Sequence, residues 1–505
     1  MVFRQSILNE SFWSWLIQEK ENRRLVWLAA ICIIIQLIVF KFYYPFPNFL
    51  NLDSKDYLEA AISNPSIAMR PMGYPKFLRM VSSISNSSLF LVCCQYLLLE
   101  LGILYFLFSV KFLLFPAKWT FRIILAISIL NPLIPHISNF VSSDCLFIAL
   151  SLVWVTQLFW ILTRPTLRLF IWHALVLFLC FYTRFNGLWY PLISLPVFLI
   201  AHITLRPKLI GIGTLLVLLV TNMGVTEYAY FKETGRWQFS AFGGWQLASN
   251  ALYGYAYSES DIPTQVPKQF RQLQTVVNAH MDSIRHIFIY FRPDYDIGGY
   301  YLWNTKSPLS VYLHNYWRRD TSNSILNHWE SLAPFYSSYG LYLIRTHPGP
   351  YIRFFIWPNL INFYVPPVSS MGNYDFTSDS IVTKWFHWPS QKSHIRYRNA
   401  KISILNPLPT ISAIVNFVFF VSFLIYGLLG GFSLTSFTSR RILVCTTFIW
   451  ICNLCFSVLA APVELRYQLF SLVLTSVFLG LFLSLLWEES KSRQKLIQVT
   501  NNPTL

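Results

Sequence analysis

Long apolar runs separated by short polar connections dominate this chain. Residues 26–40, 101–115, 145–162, 209–220, 410–432 and 468–487 are each almost free of charge. A helix needs roughly 20 apolar residues to cross the hydrocarbon, and somewhat fewer where it is broken. On that measure the pattern predicts about ten spans, near 25–42, 89–110, 120–135, 145–162, 168–183, 187–205, 208–226, 409–432, 441–460 and 467–487. The third is short because it ends in Pro132 and Pro135. Outside the spans, Val266, Phe270, Leu273, Val277 and Met281 recur at helical spacing and predict an amphipathic helix within 264–290. Residues 341–366 are apolar but interrupted by Arg345, His347, Pro348, Arg353 and Pro358. They predict a helix that lies at or dips into the membrane interface rather than crossing it.

Composition agrees with this pattern. The 505 residues are 54% hydrophobic and 12% charged, whereas a soluble domain is about a quarter charged. The net charge of +17 would raise the question of nucleic acid in a soluble protein. Here the basic residues have a simpler use, and no nucleic-acid partner is expected. Arg23 and Arg24 precede the first span, and Lys111, Lys118 and Arg122 fall between the second and third. Arg164 and Arg168, then Arg206 and Lys208, then Arg440 and Arg441 occupy alternate later connections, and Lys491, Arg493 and Lys495 follow the last span. Short, basic, alternating connections are the mark of the cytoplasmic side, so both termini are expected there. A crossing at 341–366 would break the alternation and turn Arg440 and Arg441 outward. The outer connections are then 43–88, 135–144, 183–187, 227–405 and 461–467. The expected fold is an all-α polytopic membrane protein with a small outer domain. Its parts are an N-terminal membrane module (1–226), an outer segment (227–405) and a C-terminal membrane module with a cytoplasmic tail (406–505).

Several function classes are disfavoured. The first apolar run is preceded by about 24 polar or mixed residues, unlike a cleavable signal peptide. No phosphate-cradling glycine motif is present to power transport with a nucleotide. Cys452 and Cys455 form a C-x-x-C inside a predicted span, without the histidine or second pair that a metal or redox site would need. The histidines do not fall at zinc-ligand spacing. No metal ligand and no cofactor is therefore assigned.

The residues that could carry chemistry lie in the outer connections. The first contains Asp53-Ser54-Lys55-Asp56-Tyr57, then Arg70-Pro71-Met72-Gly73-Tyr74-Pro75-Lys76. Plain structural readings exist for each part. Asp53 or Ser54 could cap a helix, with Asp56 completing the cap. The Pro and Gly residues could form a turn, and Arg70, Lys76 and Arg79 could meet lipid headgroups. Ser142-Ser143-Asp144 precedes the fourth span, Thr183-Arg184-Phe185-Asn186-Gly187 separates the fifth from the sixth, and Glu464-Leu465-Arg466-Tyr467 precedes the last. Arg184 and Arg466 could be structural partners of Asp144 or Glu464. Charges at span ends near lipid are costly and point to a partner or a function.

In their order and shared side, these motifs resemble the GT-C superfamily of membrane glycosyltransferases, closest to the bacterial branch related to protein O-mannosyltransferases and aminoarabinose transferases. That branch shows an Asp-Ser/Glu-x-x-Tyr run followed by Arg/Lys-Pro-Pro-x-Gly-Tyr; here Met72 replaces the second Pro. Thr346-His347-Pro348 with Tyr351 resembles its His-Pro element. The resemblance spans nearly the whole chain as scattered short motifs. It implies transfer of a single sugar, with inversion, from a polyprenyl-phosphate donor to an outer-face lipid, glycan or protein, in a bacterial inner membrane with the active site facing the periplasm. The leaving group is already a phosphate, so one carboxylate base can suffice, unlike the carboxylate pair of most glycoside hydrolases. Asp53 is the candidate base. Arg70, Arg184 and Arg466 are the candidate phosphate ligands, with Asp56, Tyr57, Tyr74, Lys76, Asp144 and Glu464 in support. A polysaccharide polymerase or ligase, and a lipid-linked sugar transporter or flippase, are the rival readings.

Overall fold

The computed structural model describes residues 10–317, 325–374, 380–388 and 400–501. The described chain is almost entirely helical, with one two-residue antiparallel pairing of 373–374 with 400–401. The N-terminal part contains α1 (Phe12–Gln18), α2 (Lys20–Tyr43), α3 (Asn51–Ser63), α4 (Gly73–Ser82) and α5 (Ser88–Leu114). It continues through α6 (Lys118–Ile129), α7 (Leu133–Ser138), α8 (Asp144–Thr163), α9 (Leu167–Thr183), α10 (Tyr190–Ile200) and α11 (Leu205–Thr234). Among the described residues, eight stretches are long and apolar enough to cross a membrane: α2, α5, α6 with α7, α8, α11 and three in the C-terminal part. The chain is an integral membrane protein. The fifth and sixth expected spans, α9 and α10, are apolar but shorter. The third breaks at Pro132, as the prolines require. α11 runs to Thr234, past the expected edge at 226, because no helix breaker precedes Gly235 in its left-handed cap conformation.

The middle segment holds α12 (Ala241–Tyr255), α13 (Arg271–Arg285), α14 (Tyr300–Trp303), α15 (Pro308–Trp317), α16 (Ile325–Thr346), α17 (Pro348–Tyr351), α18 (Trp357–Tyr364) and α19 (Ser380–Phe386). Helices α12 to α17 share a hydrophobic cluster distinct from that of the spans. Val266, Phe270, Leu273, Val277 and Met281 are all buried in it, as their spacing predicts. Trp245 stacks on Trp329 at its centre, with ring centroids 4.7 Å apart. After Pro348 the chain stays helical to Tyr364 through a π-turn at Ile352–Ile356. This run packs against α20 (Leu408–Leu428), which is followed by α21 (Gly431–Leu434), α22 (Phe437–Ala460) and α23 (Leu469–Asn501).

Alternate connections gather at opposite ends of the bundle. At one end Glu21 pairs with Lys118 and Arg122, Lys111 bonds Asn22, and Arg164 donates to the Glu10 carbonyl. Arg441 joins them by donating to the carbonyls of Leu162 and Ile200. At the other end Asn48 donates to the Asn139 carbonyl and accepts from the Val141 N–H, and Ser54 donates to the Val141 carbonyl. The basic connections thus share one end, and the candidate chemistry shares the other.

Candidate functional site

Helix α3 does not use Asp53 as a cap. Its N-cap is Leu50, and Asp53 is the third helical residue. Ser54 supplies the capping contact by accepting from the Leu50 N–H at 2.8 Å. Both Asp53 and Asp56 are left free of the backbone and face the chain that returns from the turn at Arg70. Asp53 Oδ1 accepts from Arg70 Nη2 at 2.7 Å, and Asp56 Oδ2 from Arg70 Nε at 3.3 Å. Of the two capping alternatives, Ser54 makes the contact, while Asp53 and Asp56 take no part in it and bridge to Arg70.

The turn is held against the end of α9. A Cβ on Gly73 would stand 2.5 Å from the Tyr182 carbonyl oxygen, so only glycine allows this approach. Gly187 is as constrained, since its Cβ would lie 2.7 Å from the Phe181 nitrogen. These two contacts bring Arg70 and Arg184 to one place. Arg184 ion-pairs with Asp144 and donates to Ser143 Oγ at 3.3 Å. Ser143 also bonds the Tyr57 hydroxyl at 2.7 Å.

The fifth outer connection completes the cluster. Asn359 on α18, fully buried, donates to the carbonyls of Val458 and Ala461 and accepts from the Val463 N–H. That fixes the turn before Glu464. Arg466 then reaches Glu464 through Nε at 2.8 Å, and through Nη1 reaches Asp53 at 3.2 Å and Asp144 at 3.4 Å. Asp53 is held between two arginines from opposite ends of the sequence. Tyr467 lies under both Arg466 and Arg184, with centroid distances of 4.6 and 5.1 Å.

Three guanidiniums face four carboxylates here, and burial makes their balance matter. Burial alone would raise the Asp53 carboxyl. The charges of Arg70, Arg466 and Arg184 outweigh that and hold it below the usual carboxylate range. Asp56 has only Arg70 to offset its burial and feels the charges of Asp53 and Glu59, so it is pushed up to about 6. Arg70, Arg184 and Arg466 are buried too, but their acidic partners keep them charged.

Two adjoining cavities open onto these groups. One, of about 200 Å³, is lined by Asp53, Arg70, Arg184, Glu464, Arg466 and Tyr467, together with Phe242, Gln246 and Trp303. The other, of about 360 Å³, shares Arg70 and Arg184 but continues along Pro71, Phe185, Leu247, Phe456 and Leu459. A charged chamber therefore leads into an apolar one. Asp56 and Asp144 line neither cavity and act on the arginines from behind.

Of the other candidates, Tyr74 is buried behind Tyr57 and donates to Gln95 at 2.7 Å. Lys76 points away to Asn64 on the exposed side. His347 pairs with Asp261 at 3.1 Å, packs on Tyr255 and lines neither cavity. The sequence reading did not single out Phe242, Gln246 or Trp303, which reach the site from the middle segment, nor Asn359. Tyr467 belongs to the Glu464–Tyr467 motif, but the sequence alone assigns it no role. Among the described residues, no group of three His, Cys, Asp or Glu side chains is placed to hold a metal ion. Comparison with protein-family models, curated proteins and solved structures finds no match.

Proposed function

We propose that this chain is a glycosyltransferase that moves a single sugar from a polyprenyl-phosphate donor to an acceptor hydroxyl at the outer face of a membrane. The observation that carries the reading is the placement of Asp53 between Arg70 and Arg466, at the mouth of a charged chamber that opens into an apolar one. A polyprenyl-phosphate sugar needs both chambers at once: cations for its phosphate and an apolar channel for its chain. The acceptor is an outer-face lipid, glycan or protein. The setting proposed is a bacterial inner membrane, with both termini cytoplasmic.

Arg70, which also pairs with Asp56, and Arg466, which also pairs with Glu464 and Asp144, both pair with Asp53. A donor phosphate must compete with that carboxylate for the same guanidiniums. As it takes them, Asp53 loses the charges that hold its pKa down and becomes a better base beside the bound sugar. The acceptor oxygen then bonds the anomeric carbon while its proton passes to Asp53. The bond to the phosphate oxygen breaks, its electron pair leaves with polyprenyl phosphate, and Arg70, Arg184 and Arg466 stabilise the departing charge. Attack opposite the leaving group gives inversion.

A structure determined with a synthetic polyprenyl phosphate tests this reading. The phosphate is expected on Arg70 and on Arg184 or Arg466, with the first isoprene units along Leu247 and Leu459. A phosphate bound outside the charged chamber would contradict it. A passage running on to the basic end of the bundle would point to transport instead.

A further inference from the structure

We propose that the groove between α2 and α6, at the end opposite the candidate active site, binds a glycerophospholipid with an anionic headgroup. The groove encloses about 620 Å³. Its mouth carries Lys20, Arg24 and Arg122. Glu21 is the carboxylate there, already shared between Lys118 at 3.2 Å and Arg122 at 3.1 Å. Three cations and one carboxylate thus line the groove, an excess of two. Lys20 and Arg24, exposed on successive turns of one helix face, are left to meet an anion.

Beyond this mouth the lining turns apolar. Leu28 and Cys32 continue the α2 face, opposite Leu125 and Ile129 on α6. From Arg24 to Cys32 a helix rises about 12 Å, and one leaflet's share of the hydrocarbon is about 15 Å. The groove therefore has charge at one end and an apolar wall below it that covers most of a leaflet's depth. Trp119, 72% exposed and 5.0 Å from the Arg122 guanidinium, stands where an interfacial tryptophan would. Basic pockets between membrane helices are suited to anionic headgroups. A soluble anion would leave the apolar wall unused, and a neutral lipid would leave the cations unmet. This inference does not depend on the proposed enzymatic activity.

The test is a thermal-stability titration of the purified full-length protein in neutral detergent. Dioleoyl phosphatidylglycerol, dioleoyl phosphatidylcholine and inorganic phosphate are compared as additives. Phosphatidylglycerol is expected to stabilise the wild type selectively. The double variant Lys20→Gln/Arg24→Gln should need about ten- to thirty-fold more of it, from the loss of about 1 kcal/mol per surface cation. Ala126→Trp, which fills the groove without changing charge, should also remove the selectivity. Arg168→Gln/Arg206→Gln, exposed cations elsewhere in the basic connections, should not. The proposal is overturned if phosphatidylcholine or inorganic phosphate works as well. It is equally overturned if all three variants behave alike, if none changes the response, or if light scattering shows a dimer that covers the groove.

Discussion

Asp53 and Asp56 lie three residues apart on one face of α3 and share Arg70, yet their surroundings drive them in opposite directions. Asp53 gains a second and a third cation from Arg466 and Arg184 and is held ionised. Asp56 gains none and is pushed up to about 6 by its burial. The consequence for stability has a definite sign. Between about pH 4 and pH 6 the folded chain keeps the Asp56 proton that the unfolded chain has lost, so stability falls as pH rises through this window. Denaturation of the wild type and of Asp56→Asn in detergent, followed from pH 7 to pH 4, should show their difference moving in favour of the wild type as pH falls. Carboxylates that do not interact with Asp56 cancel in that difference. A flat difference, or one moving the other way, would remove the buried-acid account of Asp56. The sequence marked both aspartates but did not separate them, because what distinguishes them is the arrival of Arg466 from 413 positions later in the chain.

At the scale of elements, apolar runs and helical spacing were legible because each helix records its own burial in its own residues. The spans and α13 are of this kind. The chamber walls are not, since Phe242 and Trp303 reach Arg70 from two separate helices and carry no local signal. Asn359 is invisible for the same reason: its partners lie about a hundred residues away. Gly73 is an intermediate case. It reads as a turn residue, while its structural demand is the close approach of α4 to the backbone of Tyr182. Gly73→Ala should therefore destabilise the fold by about 1–3 kcal/mol through overpacking and pull Arg70 away from Arg184. Gly213→Ala, with nothing within 4 Å of its Cβ on α11, should stabilise by about 0.5–1 kcal/mol. Chemical denaturation of both variants in detergent checks the pair. An innocuous Gly73→Ala would show that the α4–α9 contact does not organise the site.

For the whole molecule, the alternation of basic connections anticipated which loops meet, and the two ends of the bundle carry the groups it assigned to them. Which end faces the cytoplasm follows from the charge rule and is open to direct measurement. Cysteines placed singly at the exposed positions Ser63 and Thr305, in a chain freed of its eight native cysteines, should react with an impermeant thiol reagent in intact cells. A cysteine at Lys118 should react only after permeabilisation; the reverse pattern would invert the topology and with it the proposed site. The central claim is that Asp53 removes a proton from the acceptor while the arginines receive a phosphate. It is met most directly by transfer of labelled sugar from a synthetic polyprenyl-phosphate donor, measured for wild type, Asp53→Asn and Asp56→Asn beside a thermal melt of each. Asp53→Asn leaves Arg70 with Asp56, and Arg466 with Glu464 and Asp144, so the fold has partners to retain. The expected result is a folded Asp53→Asn protein with transfer reduced by roughly 10²–10⁴-fold, and an Asp56→Asn protein that keeps most of its activity. A folded Asp53→Asn protein that transfers sugar at the wild-type rate would contradict the account.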